Sequence, residues 1–183
     1  MALITPSVAE RIKKGRAYPE TVRALAEKWG PLFKVDPSWV MEHCYVESTN
    51  VPSAFNPGGK AYGLMQLKLP TATDIVRWIK ANGVAKNEDV RAVLKSSWRG
   101  QGEDLWNPEL NVMLGTFYLG YIRKKLEEKF GSEIADDHNV VAAAYNQGPG
   151  AVRKALRSGE FKPTDEMKKY IAKIENAKEE GYA

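Results

Sequence analysis

The sequence predicts a mostly or wholly α-helical fold, and three observations support this prediction. Apolar residues recur with helical spacing along most of the 183 residues. Residues that cap or stop helices stand between these stretches. The alternation of apolar and polar residues that is typical of strands is absent at useful length, and the loop over 50–63 is the one place where short strands could form.

Each predicted helix has a start or an end that its residue types explain. Asp36 followed by Pro37 places a capping side chain before a proline at the first helical position. Gly30-Pro31 is expected to stop the helix that precedes it. In chain order, the predicted helices are a short one opened by a capping box at 7–10, then 19–29, 36–49, 71–81, 87–94, the longest from 107 onward, 136–147, and an amphipathic helix near the C-terminus.

Two features indicate how these elements pack. The helix that opens at Asn107 carries a broad apolar face with two glycines, so we expect it to be the central buried helix. The stretch from Trp98 to Trp106 has no helical period, and we expect it to be a loop that lies against the rest of the fold, where it could form one wall of a cleft.

Length and composition predict a single globular domain, since 183 residues with 43% hydrophobic content suit one sizeable core. We expect residues 1–34 to form N-terminal helices that pack on a catalytic unit formed by 35–183. The sequence shows no signal peptide and no stretch that is long and apolar enough to span a membrane. We therefore expect a soluble, monomeric protein.

The titratable residues exclude several classes of site. One cysteine, Cys44, rules out an internal disulfide, and His43 and His138 are the only histidines, so we expect no metal site and no cofactor. The net charge of +4 is spread along the chain. It fits attraction to an anionic polymer but is weak ground for nucleic-acid binding, which we do not expect.

Glu47 occupies a position that a helix would not favour for a carboxylate. It falls in the last turn of the helix that Asp36 opens, and it continues an apolar stripe formed by Val40 and Cys44. Burial and the negative end of the helix dipole would both raise its pKa. These residues therefore predict a proton donor.

Four stretches, taken in order, resemble the SLT-type lytic transglycosylases of the lysozyme-like superfamily, which cleave peptidoglycan. Together they cover about residues 35–155, and the combination is far more specific than any one of them. The resemblance implies a goose-type or SLT lysozyme-like helical domain with an active-site cleft. The stretches are Glu47-Ser48, Ala61-Tyr62-Gly63-Leu64-Met65-Gln66 with Thr71-Ala72, Asn107-Pro108-Glu109-Leu110-Asn111 with Gly115 and Tyr118-Leu119, and Ala143-Ala144-Tyr145-Asn146-Gln147-Gly148-Pro149-Gly150.

The resemblance implies that Glu47 is the sole catalytic acid and base. Enzymes of this family protonate the oxygen between N-acetylmuramic acid and N-acetylglucosamine, then use the same carboxylate as a base towards the 6-hydroxyl of the sugar. The product is a 1,6-anhydro end, and no water is consumed. Glycan strands of peptidoglycan are therefore the expected partner.

The resemblance also implies a substrate-binding set. Gln66 would hydrogen-bond the substrate, Tyr145 would orient Glu47 through its hydroxyl, and Asn146 would support the sugar or the loop. Asn56 stands where many members have a serine that meets the acetamido group. The matched motifs add Ser48, whose hydroxyl could instead bond the last helix carbonyls, and Met65, which could instead pack below the cleft.

Two further departures from the family concern the binding cleft. Lys68-Leu69-Pro70 replaces the usual Met-Pro after the glutamine, which puts a charge near a sugar-binding subsite. The stretch between 72 and 107 is longer than is typical, and it contains the Trp98–Trp106 loop.

A lysozyme-type hydrolase of the same fold is the main alternative. It needs a second carboxylate within roughly 5–9.5 Å of the first, and no Asp or Glu lies between Glu47 and Asp74. The fold could still bring in Asp74, Glu103 or Asp104. A non-catalytic wall-binding module and a small basic nucleic-acid-binding domain are more distant alternatives. We expect action on the cell wall or in the periplasm, as a bacteriophage lysis or virion-associated protein.

Overall fold

The computed structural model describes residues 19–156 and 160–181, and within these ranges the chain is mostly helical, which confirms the predicted class. No helix among these residues is long and apolar enough to cross a lipid bilayer. The predicted capping box at 7–10 lies outside the described residues. The helices are α1 Glu20–Leu32, α2 Pro37–Ser48, α3 Leu69–Ala81, α4 Glu88–Ser97, α5 Pro108–Phe130, α6 Ser132–Ala135, α7 His138–Gln147, α8 Pro149–Ala155 and α9 Asp165–Gly181, and the strands are β1 Phe55–Asn56, β2 Ala61–Tyr62 and β3 Leu67–Lys68.

Helix α5 is the centre of the core, as predicted. Consecutive residues from Leu110 to Phe117 are all buried, so neighbours cover this part of the helix on every side. Helices α1, α2, α3, α4 and α7 all pack against it. The side chain of Asn107 caps its first turn by accepting from the Leu110 N–H at 2.9 Å.

Helix α1 corrects one sequence-based expectation. It does not stop at Gly30-Pro31 but continues to Leu32, because the proline removes only one N–H donor close to the end of the helix. Gly30 has another role. A Cβ there would lie 2.8 Å from the Val35 carbonyl oxygen, so glycine allows α1 to meet the start of α2 closely. Trp29 is fully buried in the common core. The division at residue 34 stays a prediction.

A small antiparallel sheet lies in the loop region where short strands were expected, in the order β1-β2-β3. Asn56 pairs with Ala61, which in turn pairs with Lys68, so these three side chains share one face. Phe55 and Tyr62 pair on the opposite face, with ring centroids 4.8 Å apart. The third strand comes from the residues that directly follow Gln66.

The expected Trp98–Trp106 loop is partly helical, which is a second correction. Helix α4 extends to Ser97, and a short 3-10 helix covers Gly102–Trp106. Local bonds explain the turn between them, because the Asp104 carboxylate accepts from the backbone N–H groups of Arg99 and Gln101 at 2.6 and 3.0 Å. The segment has no periodic apolar residues to pack it against the core, and these hydrogen bonds to the Asp104 side chain hold the turn instead.

Asn111 of α5 ties the sheet region to the core. Its amide oxygen accepts from the Met65 N–H at 2.8 Å, and its Nδ2 donates to the carbonyl oxygens of Tyr62 and Leu105 at 2.8 and 2.9 Å. Gly63 makes this approach possible, since it has φ +74° and a Cβ there would collide with the Leu105 carbonyl and the Asn111 amide. The chain on either side of Leu64 is therefore held by one buried side chain.

We expect Asn111→Ala to destabilise the fold by about 2–3 kcal/mol, because it removes three hydrogen bonds to the backbone, two of them fully buried. Urea unfolding measures this cost. Thr116→Val is the matched control, since Thr116 is also buried in α5 and its hydroxyl has no partner among the described residues. If the two substitutions lower the free energy of unfolding by the same amount, the three hydrogen bonds of Asn111 do not hold the sheet region to the core.

Candidate active site

A cavity of about 460 Å³ opens where the end of α2, the sheet, α5 and the end of α7 meet. It brings together five of the seven predicted site residues. Another cavity, of about 770 Å³, lies against α8 and contains none of them. The lining residues of the smaller cavity are Glu47, Asn56, Gly59, Ala61, Gln66, Leu67, Lys68, Thr71, Tyr118, Tyr145, Asn146, Gln147 and Gly148.

Glu47 projects from the last turn of α2 into this cavity. The stripe that the sequence predicts is present, because Val40 and Cys44 are fully buried and Glu47 is half-buried beside them. Burial raises the pKa of Glu47, as expected, while a hydrogen bond from Tyr170 and the charge of Lys173 act in the opposite direction. Burial is the larger effect, so Glu47 holds its proton more tightly than an ordinary glutamate.

Tyr170 of α9 is the residue that orients Glu47, and the sequence analysis missed it. Its hydroxyl donates to Glu47 Oε1 at 2.6 Å, and the residue is almost fully buried. The sequence predicted an amphipathic helix near the C-terminus and gave no role to Tyr170 within it. A buried tyrosine nevertheless needs a hydrogen-bond partner for its hydroxyl. This requirement could have indicated from the sequence that Tyr170 binds a polar group.

The hydrogen bond predicted from Tyr145 to Glu47 is wrong. The Tyr145 hydroxyl donates to the Met65 carbonyl oxygen at 2.8 Å, and a hydroxyl has a single hydrogen to donate. Tyr145 still lines the cavity, and burial together with the charge of Glu47 raises the pKa of Tyr145. It therefore anchors the chain beside Gln66 instead of the carboxylate.

Gln66 lies in the cavity with an unusual backbone. Its φ of +46° is in the left-handed region, and its Nε2 donates to the carbonyl oxygens of Ala54 and Gly63 at 3.3 and 3.0 Å. Both amide hydrogens are thus used within the protein, which leaves Oε1 for a ligand. The predicted contact with substrate stays a prediction. Because only Oε1 is left, Gln66 would accept a hydrogen bond from the substrate.

Asn56 and Asn146 are both exposed at the cavity rim, where their NH₂ groups are available to a ligand. The Asn56 oxygen accepts from the Gly59 N–H at 3.2 Å. The Asn146 oxygen accepts from Gln147 Nε2 at 2.6 Å. With each oxygen occupied, both side chains can act as donors to a sugar.

Ser48 and Met65 do not line the cavity, which corrects their predicted contact with substrate. The Ser48 hydroxyl lies 2.9 Å from the Cys44 carbonyl oxygen and 2.8 Å from that of Leu64, so it joins α2 to the chain before Gln66. Met65 is fully buried against Gly115 of α5, since its side chain is apolar and faces the core. Both residues support the cavity from below.

The proposed second carboxylates lie elsewhere. Within the described part of the lining, Glu47 is the only acidic residue. Asp74 pairs with Arg77 at 2.8 Å, Asp104 binds backbone N–H groups, and Glu103 is exposed outside the cavity.

The Trp98–Trp106 segment, which the sequence left as a possible wall of the cleft, is not in the described lining of this cavity. Trp106 packs instead near Tyr62, with ring centroids 5.7 Å apart, on the face of the sheet opposite Asn56. The reason is the period of the strand, because neighbouring residues point to opposite faces.

The family model described as Transglycosylase SLT domain matches residues 24–168. The chain belongs to this family. The matched range includes Glu47, the sheet, α5, α7 and the start of α9.

Curated relatives carry the same kind of name. The chain is 29% identical over 160 residues to membrane-bound lytic murein transglycosylase C of Actinobacillus pleuropneumoniae, covering 84% of this chain and 37% of that protein. It is 33% identical over 122 residues to the soluble lytic murein transglycosylase of Salmonella typhimurium, covering 67% of this chain and 15% of the relative. The chain thus spans a minor part of these two relatives.

Solved structures share the fold. An inactive mutant of the lytic transglycosylase Slt from Pseudomonas aeruginosa superposes with a TM-score of 0.66 at 22% identity, covering 88% of this chain and 24% of that one. The 70 kDa soluble lytic transglycosylase of Escherichia coli gives 0.67 at 24% identity, covering 96% and 27%. The predicted lysozyme-like SLT fold is confirmed.

We expect Tyr170→Phe to raise the pKa of Glu47 further, because the lost hydrogen bond favours the carboxylate. A ¹³C NMR titration of the glutamate carboxyl groups measures this shift. Tyr118→Phe is the control, since Tyr118 lines the cavity without a hydrogen bond to Glu47 among the described residues. An unchanged Glu47 titration in Tyr170→Phe would contradict the role of Tyr170.

Proposed function

We propose that this chain is a peptidoglycan lytic transglycosylase that cleaves the β-1,4 bond between N-acetylmuramic acid and N-acetylglucosamine. Glu47 acts first as an acid and then as a base, and the product is a 1,6-anhydro-muramic end. One observation supports this most strongly. A chain of the SLT family has a single acidic residue in the described lining of its cavity, and that residue is half-buried with a raised pKa.

The acid step uses the proton that burial retains on Glu47. Because the Tyr170 hydroxyl donates to Oε1, the acid proton of Glu47 is carried by Oε2. It passes to the glycosidic oxygen as the bond from that oxygen to C1 of muramic acid breaks. The departing N-acetylglucosamine leaves as an alcohol, and positive charge develops at C1.

The base step restores the enzyme. Glu47, now a carboxylate, takes the proton of the 6-hydroxyl of muramic acid. At the same time the oxygen of that hydroxyl forms a bond to C1. The proton lost in the first step is regained, and no water enters. The 2-acetamido group of the substrate can stabilise C1 between the two steps, and the NH₂ group of Asn56 at the rim is a candidate to hold that group.

A lysozyme-type hydrolase of the same fold is the second candidate. It needs a base that activates water, and the three candidate carboxylates are engaged or exposed away from the cavity. A non-catalytic wall-binding module would keep its function when the carboxylate of Glu47 is removed. The monomeric state and the bacteriophage setting remain predictions, which sedimentation and the identity of neighbouring genes would test.

We expect Glu47→Gln to lower the rate of peptidoglycan digestion by about 10²–10⁴-fold, because the amide can neither give nor take the proton. The amide oxygen still accepts from Tyr170, so the fold should persist. Asp74→Asn and Glu103→Gln serve as controls that keep activity.

Mass spectrometry of the released muropeptides identifies the reaction. Anhydro ends, which lack the mass of one water, support the transglycosylase. Reducing ends would identify a hydrolase, and full activity of Glu47→Gln would rule out both enzymes.

Lys68 predicts a preference for strands that carry stem peptides. Its side chain lines the cavity on the same face of the sheet as Asn56, and it makes no ion pair among the described residues. A carboxylate of a stem peptide would complement it. We expect Lys68→Met to lower kcat/KM on such strands by about fivefold, equivalent to roughly 1 kcal/mol for a solvent-exposed pair.

Strands whose stem peptides have been removed by an amidase provide the comparison for Lys68, and they should be digested equally by both proteins. Lys60→Met is the matched control, since Lys60 lies in the nearby β1–β2 loop outside the lining. An equal loss on both kinds of strand would show that Lys68 does not recognise the peptide.

A further inference from the structure

A group of buried ionisable side chains lies next to Glu47 without lining the cavity. Glu42, His43 and His138 are 1%, 0% and 6% exposed. Glu42 Oε2 lies 3.1 Å from His138 Nδ1, and the rings of His43 and His138 are 5.4 Å apart. The mechanism above uses none of these three residues. Burying such groups costs stability, so their presence here calls for a function.

His43 is joined to Glu47 through one intermediate residue. The Tyr170 hydroxyl lies 3.2 Å from His43 Nδ1 and 2.6 Å from Glu47 Oε1. The ring of His43 also packs edge-on against Tyr145, at 4.8 Å between centroids. Helices α2, α7 and α9 therefore meet at His43.

The His43 ring is neutral. Burial and the neighbouring His138 lower the pKa of His43 well below its usual value. A neutral imidazole has a hydrogen on one ring nitrogen only, so the other nitrogen is an acceptor. Which nitrogen carries the hydrogen decides what His43 can do for Tyr170.

The two contacts of the Tyr170 hydroxyl decide this tautomer. The hydroxyl has one hydrogen, and the short contact to the Glu47 carboxyl group claims it. The contact with His43 is then a hydrogen bond only if Nδ1 is the donor. His43 Nε2 is buried without a partner among the described residues, so no second bond there favours the opposite tautomer. The Nδ1–H form satisfies one more polar group than the alternative.

We propose that His43 is a positioning residue for the reaction of Glu47. Its Nδ1–H donates to the Tyr170 oxygen, which keeps the Tyr170 hydrogen directed at Glu47 Oε1 and leaves Oε2 to carry the acid proton towards the substrate. This inference rests on the proposed function of Glu47. Without His43, the Tyr170 hydroxyl could accept from a protonated Oε1, and the acid proton would be held away from the glycosidic oxygen.

The first test uses the unaltered protein. The ¹⁵N chemical shifts of the histidine ring nitrogens distinguish the two neutral tautomers and the charged ring. We expect hydrogen on Nδ1 of His43 across the pH range in which the enzyme works. Hydrogen on Nε2 alone, or a charged ring, would overturn the proposal.

The second test is a double-mutant cycle with Tyr170→Phe. His43→Leu removes the donor, and we expect it to lower kcat by about threefold to tenfold, the usual worth of one hydrogen bond, with KM unchanged. His43→Asn places an amide donor near the position of Nδ1, and it should recover most of this loss. In the Tyr170→Phe background, His43→Leu should change kcat by less than about twofold, because His43 acts through the missing hydroxyl.

A purely structural role gives a different pattern. His43→Leu would then cost the same with and without the Tyr170 hydroxyl, or His43→Asn would be as poor as His43→Leu, and either result overturns the proposal. Thermal melts of each variant identify any loss that comes from unfolding, and the tautomer measurement decides the question if His43→Leu does not fold.

Glu47→Gln separates the two proposals. An inactive Glu47→Gln with normal kcat in His43→Leu refutes the role of His43 alone. A fully active Glu47→Gln refutes the proposed function, and the role of His43 with it.

Discussion

The half-buried carboxylate of Glu47 is the constraint on which the rest of the site depends. A carboxylate held in an apolar stripe keeps its proton more readily, but it must also bind a donor when it is charged. Tyr170 supplies that donor from the far end of the chain, and His43 lies behind Tyr170. The packing of α9 on α2 therefore sets the hydrogen bond of Glu47 as well as part of the core.

A second group of bonds holds the chain that faces Glu47. Asn111, Tyr145 and Ser48 bind the backbone of Leu64 and Met65, from α5, α7 and α2 respectively. Three helices thus fix the two residues before Gln66. This explains the left-handed backbone of Gln66, since a strained conformation persists only where the surrounding structure determines it. The rigid backbone allows Gln66 to present one defined oxygen to the cavity.

The distribution of charge in the cavity bears on the choice between the candidate reactions. A hydrolase requires two carboxylates at one bond, whereas the described lining has one. Asp74 and Asp104 are instead bound to groups in their own helix or turn. Lys68 is the one cationic residue in the described lining.

The sequence by itself determined most of the helices and the stripe of Val40, Cys44 and Glu47, because spacing within one helix decides which residues share a face. It also indicated most of the cavity residues, since these fall within motifs of the family. Only the tertiary structure decided which side chain meets which. Tyr170 and Glu47 are 123 positions apart, and Tyr145 and Met65 are 80 apart. Such pairs depend on how whole helices pack, and no local pattern records that packing.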